Sequence, residues 1–215
     1  MGISAVIFDL DGVLVSTDEQ HYIAWKRLAD EESIPFDREA NLAFRGVSRA
    51  DCVDILVARS GRAYSGDEKA ELAERKNRYY VGSLESIGPG SVLPGVPELL
   101  AAIRSSGVRT AIGSSSKNAR LILDRIALVG SFDAIVDGTM ISKSKPDPEV
   151  FLLAARLLGA EPSACAVIED SDAGIAAAAA AGMRAVAVGA AIQNPRANVR
   201  ATGLDRLSLD DLLDR

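Results

Sequence analysis

The chain has 215 residues, 48% hydrophobic and 25% charged, enough to bury a sizeable core either as one large α/β domain or as a core with a smaller companion. Its 24 basic and 30 acidic side chains leave a formal charge of −6, which speaks against a nucleic-acid surface or a binder of anionic membranes, so an anionic substrate depends on a few locally placed cations. Cys52 and Cys165 stand far apart with no Cys-x-x-Cys pair, which indicates neither a disulfide framework nor a structural zinc site. No stretch approaches the roughly 20 apolar residues of a membrane span, and the N-terminus enters the first strand without a basic segment and apolar signal core. A cytoplasmic protein without nucleic-acid or membrane partners is the expectation.

The first predicted element is a strand, Ala5-Val6-Ile7-Phe8, that runs straight into Asp9-Leu10-Asp11-Gly12. β-branched and aromatic residues ending abruptly in acids read as a central strand whose tip reaches a solvent-facing edge. If the extended backbone continues, Asp9 and Asp11 share one side of it. Two close carboxylates repel unless a cation or a shared proton lies between them. An acidic turn, with Gly12 supplying an unusual backbone angle, is the alternative for these residues alone.

Helical patterns then dominate from about Asp18 to Glu85. One runs over Asp18 to Glu31, one starts at the N-cap serine of Ser48-Arg49-Ala50-Asp51 and ends at Ala58, and one covers Asp67 to Leu84. So long an interval without a strand predicts an inserted all-helical domain over residues 17–86. Val13 to Ser16 and the Gly/Pro-rich Ser86 to Gly95 form its two-strand hinge. Strands and helices alternate afterwards. Strands are expected up to Gly113, at Ala134 to Val136, Ala164 to Ile168 and Ala185 to Val188. Helices are expected at Asn118 to Leu128, Pro148 to Leu158 and through Ala181. The alternation predicts a doubly wound parallel sheet with helices on both faces, a Rossmann-like core over residues 1–16 and 87–215.

In such sheets ligands bind beyond the carboxyl ends of the strands. The second strand ends in Gly113-Ser114-Ser115-Ser116, and Lys117-Asn118 opens a helix. That is either an anion site of hydroxyls and helix N-terminal amides or an ordinary serine cap. In Ser144-Lys145-Pro146-Asp147-Pro148, the proline after Lys145 favours an extended lysine and Pro148 suits a helix start. The strand from Ala164 delivers a second acidic pair, Glu169 and Asp170, at the position where the first strand delivers Asp9 and Asp11. Such a set suits a hard, oxygen-ligated cation.

Together these segments resemble the haloacid dehalogenase superfamily of phosphoryl-transfer enzymes. The matching residues are Asp9, Asp11 and Gly12, then Ser114, then Lys145 and Pro146, then Glu169 and Asp170, in that order and across the whole core. The helical insertion directly after the first acidic pair looks like the cap of the superfamily's first subclass. His21 with Trp25 and Lys26, then Arg45-Gly46-Val47-Ser48-Arg49 and Arg75-Lys76-Asn77, follow at intervals that look like the β-phosphoglucomutase-like branch.

The resemblance implies Asp9 as the nucleophile that carries an aspartyl-phosphate and Asp11 as the acid/base. It implies Ser114 and Lys145 as holders of the phosphoryl oxygens. Mg²⁺ would lie on Asp9, Glu169, Asp170 and the main-chain carbonyl of Asp11. It further implies His21, Thr17 and Lys76 near the acid/base, and a sugar pocket that includes Trp25 and Arg45, Gly46 and Val47. The distal phosphate would fall to Arg49, Ser116, Lys117 and Asn118. The expected reaction interconverts β-glucose 1-phosphate and glucose 6-phosphate in a monomeric enzyme, with a phosphatase of hexose phosphates or other small phosphoesters as the alternative. The chain departs from the family pattern at Ser16, where aspartate is usual, at Arg45, where lysine is usual, and at Cys52 and Ser115, which replace a serine and an alanine.

Overall fold

The computed structural model describes residues 2–44 and 47–213, and it divides the chain into two compact units, Met1–Ser16 with Gly88–Arg215 and Thr17–Ile87. Arg45 and Gly46, both assigned above to a sugar pocket, lie outside the described residues.

The larger unit is built on a parallel sheet. Its central strand β1 (Ala5–Phe8) lies between β2 (Arg109–Gly113) and β4 (Cys165–Glu169). Beyond β2 comes β3 (Ala134–Val136), and beyond β4 come β5 (Arg184–Val188) and β6 (Val199–Ala201), giving the order β3-β2-β1-β4-β5-β6 among the described residues. The chain winds outward from β1 in one direction and then, from β4, in the other. The order therefore reverses at β1, where a doubly wound sheet opens a crevice at its strand tips. Every residue of β1 and of β4 is buried, which is why both read as unbroken apolar runs rather than alternating ones.

Helices α5 (Val96–Ser105), α6 (Ala119–Arg125), α7 (Glu149–Leu158), α8 (Asp172–Ala180) and α9 (Leu209–Leu213) complete this unit. α7 buries Val150, Phe151, Ala154, Ala155 and Leu158, an i, i+1, i+4, i+5, i+8 stripe, and ends at Gly159 in the left-handed region. The alanine run of α8 lets its backbone lie close to the sheet, with Ile175, Ala177 and Ala178 in the same core cluster as Ile7, Val167 and Phe151. Fully burying a side chain such as Phe151 contributes about 1.5–3 kcal/mol, so this cluster fixes the register of the strands that carry the site.

Among its described residues, the smaller unit has four α-helices: α1 (Asp18–Glu31), α2 (Arg38–Leu42), α3 (Arg49–Val57) and α4 (Gly66–Ser83). No strand occurs among its described residues. Ser48 caps α3 by accepting the Asp51 N–H at 3.2 Å. Ser65 and Glu68 close a reciprocal capping box on α4. The unit has its own core, in which Trp25 meets Phe44 edge-on at 5.0 Å among Leu28, Phe36, Leu56 and Leu72. No described helix is long and apolar enough to cross a membrane.

Candidate active site

The tips of β1 and β4 bring the acids together by register. Phe8 pairs with Ile168, and the Asp9 N–H donates to the Ile168 carbonyl at 2.9 Å, which carries the ladder one residue past the strand end. Asp9 thereby comes level with Glu169, and Asp170 follows. The chain then turns: Gly12 sits at φ 82° and donates to the Val15 carbonyl at 2.7 Å, while Asp11 bridges to Val15. A side chain at Gly12 would put its Cβ 2.0 Å from the Asp170 carboxylate. Glycine is thus required there twice, for the backbone angle and for the space.

Asp9, Glu169 and Asp170 each offer a carboxylate oxygen within 4.8 Å of the others. The Asp11 carboxylate stands outside this trio, although its charge is felt at Asp9. The Lys145 ammonium donates to Asp9 Oδ1 at 2.5 Å and to Glu169 Oε2 at 2.7 Å, and lies 4.7 Å from the centre of the Phe151 ring. Glu169 Oε1 accepts three more bonds, from the Asp170 N–H, the Ser171 N–H and the Ser171 hydroxyl.

The electrostatics follow from this crowding. Burial, and then the charge of Glu169, raise the Asp9 carboxyl above its ordinary range, with Lys145 pulling the other way. Burial, then Asp9 and Glu169, raise Asp170 likewise. Burial alone would lower the Lys145 ammonium, but the two carboxylates it touches more than offset this and hold it above its ordinary value. One cation against three clustered carboxylates leaves an excess of negative charge that a divalent ion would neutralise. The donors are all oxygens, and Gly12 and Gly174 are pressed against Asp170 and Glu169 with no room for a Cβ. The residues present fit a hard cation such as Mg²⁺.

Ser114 is buried at the end of β2, and its hydroxyl accepts the Ser116 N–H at 3.2 Å, while the Ser116 hydroxyl accepts the Asn118 N–H at 3.2 Å. Lys117 is exposed between them. From the far side, Gly138 donates to the Ser116 carbonyl at 3.1 Å, and a Cβ there would lie 2.2 Å from the Ser115 carbonyl oxygen. The loop is therefore shaped by β3 as well as by its own sequence.

In the helical unit, the structure gathers Thr17, His21, Trp25 and Lys76. The Lys76 ammonium lies 2.7 Å from His21 Nδ1 and within 5 Å of the Trp25 and Tyr80 ring centres, at 4.8 and 4.6 Å. The Tyr80 hydroxyl donates to Thr17 Oγ1 at 3.0 Å. Burial, then the charges of Lys76 and Arg49, hold the His21 imidazole well below its ordinary pKa. An ammonium has donors only, so a neutral His21 accepts through Nδ1. Arg49 reaches the Ala73 carbonyl at 3.4 Å and Glu74 at 3.6 Å. Val47 is exposed, and its carbonyl and that of Phe44 accept the Cys52 thiol at 3.7 Å each. Burial pushes that thiol up to about 12, so Cys52 is a packing residue rather than a nucleophile.

Sequence reasoning passed over Tyr80, Phe151 and Ser171. Ser171 carried a usable signal, since a serine followed by Asp172 ahead of an alanine-rich run reads as a helix N-cap. Tyr80 and Phe151 read as ordinary core aromatics on their helices, and only the folded chain puts a cation beside each.

Comparison with known proteins identifies the family. The family model for haloacid dehalogenase-like hydrolases matches residues 3–182. The β-phosphoglucomutase of Bacillus subtilis (strain 168) is 45% identical over 187 residues, covering 86% of this chain and 83% of the relative. Hexitol phosphatase B of Escherichia coli O157:H7 is 33% identical over 219 residues, covering 98% and 97%. The crystal structure of β-phosphoglucomutase from Clostridium difficile matches with a TM-score of 0.90 and 36% identity, covering 97% of this chain and 94% of that one. The chain belongs to the haloacid dehalogenase-like hydrolase family, on its β-phosphoglucomutase-like branch.

Proposed function

We propose that this protein transfers phosphoryl groups through an aspartyl-phosphate on Asp9 and interconverts β-glucose 1-phosphate and glucose 6-phosphate. The observation that carries the reading is the buried constellation at the β1 and β4 tips, with Asp9 held against Lys145 beside Glu169 and Asp170. The 45% identity to a β-phosphoglucomutase supports the choice of substrate.

Asp9 attacks phosphorus, forming one carboxylate O–P bond as the bond from phosphorus to the sugar oxygen breaks. Asp11 gives a proton to the leaving hydroxyl and later removes one from the accepting hydroxyl. Lys145 and Ser114 hold equatorial phosphoryl oxygens, where the transfer needs positive charge and donors rather than further covalent chemistry. Mg²⁺, held by Asp9, Asp170, Glu169 and the Asp11 carbonyl, would neutralise phosphoryl charge when bound. Arg49 with Ser116, Lys117 and Asn118 takes the second phosphate, and Trp25, Arg45, Gly46 and Val47 take the sugar. Thr17, His21 and Lys76 serve the acid/base. The same reading makes the protein a cytoplasmic monomer whose partner is a small sugar phosphate; its charge of −6 speaks against nucleic-acid or anionic-membrane partners.

The test is to mix the enzyme with glucose 1,6-bisphosphate and Mg²⁺, quench in acid and map phosphate by mass spectrometry. Phosphate on the peptide containing Asp9, absent from Asp9→Asn and from samples treated with a chelator, is expected. Phosphate on another residue, or turnover retained in Asp9→Asn, refutes the nucleophile.

A further inference from the structure

Lys145 sits in a stretch without regular structure, between Ile141, which packs against the core, and α7, which is anchored by Val150 and Phe151. Its side chain is 7% exposed and bridges Asp9 and Glu169. A long, flexible side chain holds such a position only if its backbone is fixed, because an error of about 1 Å in a catalytic group costs on the order of 100-fold in rate.

The side chain of Glu149, the first residue of α7, supplies the fixing contacts. Its carboxylate reaches back along the chain and accepts the Ser142 N–H at 3.0 Å on Oε1 and 3.1 Å on Oε2. It also accepts the Ser142 hydroxyl at 2.9 Å and the Lys143 N–H at 2.8 Å. Its own N–H donates to Asp147 Oδ1 at 3.0 Å, and the Asp147 N–H donates to the Ser144 carbonyl at 3.1 Å. Glu149 stands seven positions after Ser142, and Lys145 lies between them. One anion thus converts an open loop into a closed ring with a helix as its rigid side. Donors directed at its oxygens favour the charged form and hold the Glu149 carboxyl below its ordinary range.

We infer that Glu149 is a positioning residue for phosphoryl transfer, clamping the start of the 142–149 loop so that Lys145 is aimed at Asp9 and Glu169. The inference rests on the phosphoryl-transfer reading for its kinetic consequence, but the clamp itself is a statement about Lys145.

Glutamine at 149 keeps the size and one acceptor oxygen, but it turns an NH₂ group toward the donors of Ser142 and Lys143. The test compares wild type, Glu149→Gln, Ser142→Ala and Lys145→Ala. Turnover of acetyl phosphate with Mg²⁺ is measured for each, along with melting temperature and the ¹⁵N-detected signal of the Lys145 ammonium. Glu149→Gln is expected to lower kcat by about 10-fold or more and to shift or broaden the Lys145 signal. Ser142→Ala, which removes one of the four bonds, should fall between it and wild type. An unchanged kcat and an unchanged Lys145 signal in Glu149→Gln overturn the inference. So does a fall in kcat that accompanies a lower melting temperature while the Lys145 signal stays in place, since Glu149 would then serve only the fold. Full activity in Lys145→Ala removes Lys145 from the proposed mechanism instead, and the Lys145 signal compared between wild type and Glu149→Gln still reports whether Glu149 holds the lysine.

Discussion

His21 shows how a single residue changes meaning when the chain folds. On the sequence it is one imidazole on an amphipathic helix, and nothing local separates it from a surface residue. In the structure it sits beside the Lys76 ammonium and packs against the Tyr80 ring with centroids 4.1 Å apart. Burial and the nearby charges of Lys76 and Arg49 disfavour its protonation. A histidine whose folded pKa is depressed contributes stability that is fully present above the unfolded value of about 6.5 and is lost as pH falls toward the folded value. Because the chain contains one histidine, its ring resonances are unambiguous. Titration by NMR should find His21 neutral, with the proton on Nε2, well below pH 6.5. Replacing it with glutamine should remove the His21-linked loss of stability in acid. An ordinary midpoint near 6.5, or a proton on Nδ1, contradicts the account. Asp9, Asp11, Lys145, Glu169 and Asp170 were far more legible than His21, because each sits at a strand tip or beside a proline, where the sequence itself marks the end of an element.

At the scale of elements, β1, β4, α1, α3, α4 and α7 were readable from apolar runs, periodicity and caps. The residues that shape the site from behind were not. Gly138 and Gly174 look like routine loop and helix glycines, and their role depends on backbones brought together by the sheet order. α5 was passed over although Val96, Leu99, Leu100 and Ile103 make a clear helical stripe, because the Gly/Pro-rich segment before it reads as a continuing linker. β6 has three residues, one of them exposed, and α9 has five, lengths at which periodicity carries little information. α6 ends at Arg125, earlier than its apolar pattern suggests, because Ala127 takes a positive φ of 60° that breaks the helix. The close packing of α8 on Glu169 gives a direct test, since a Cβ at Gly174 would lie 2.0 Å from the Glu169 carboxyl carbon. Gly174→Ala should destabilise the protein by about 1–3 kcal/mol in urea unfolding, the cost of forcing atoms into a filled site. It should also weaken Mg²⁺ binding measured by calorimetry. Gly130→Ala, where an added Cβ meets nothing within 4 Å, should be nearly neutral. If the two variants behave alike, Gly174 is not required by its packing against Glu169.

At the scale of the whole molecule, the fold class and the acidic and lysine residues follow from alternation and strand-tip position, whereas the choice between mutase and phosphatase does not. The chain is 45% identical to a β-phosphoglucomutase and 33% identical to a hexitol phosphatase, and the proposed core chemistry serves both. In the proposed mechanism they differ in a grip on the second phosphate, which falls to Arg49. Arg49→Ala should lower isomerisation by about tenfold or more if a charge-assisted contact worth about 1.5–3 kcal/mol is lost. Hydrolysis of acetyl phosphate, which has no second phosphate, should change much less. Equal losses in both reactions would remove Arg49 from substrate recognition. Mutase activity is read most directly from a phosphorus NMR time course of β-glucose 1-phosphate with the wild-type protein, Mg²⁺ and a trace of glucose 1,6-bisphosphate. The starting signal is expected to be replaced by glucose 6-phosphate with little inorganic phosphate. Release of inorganic phosphate without glucose 6-phosphate would contradict it and identify the protein as a phosphatase.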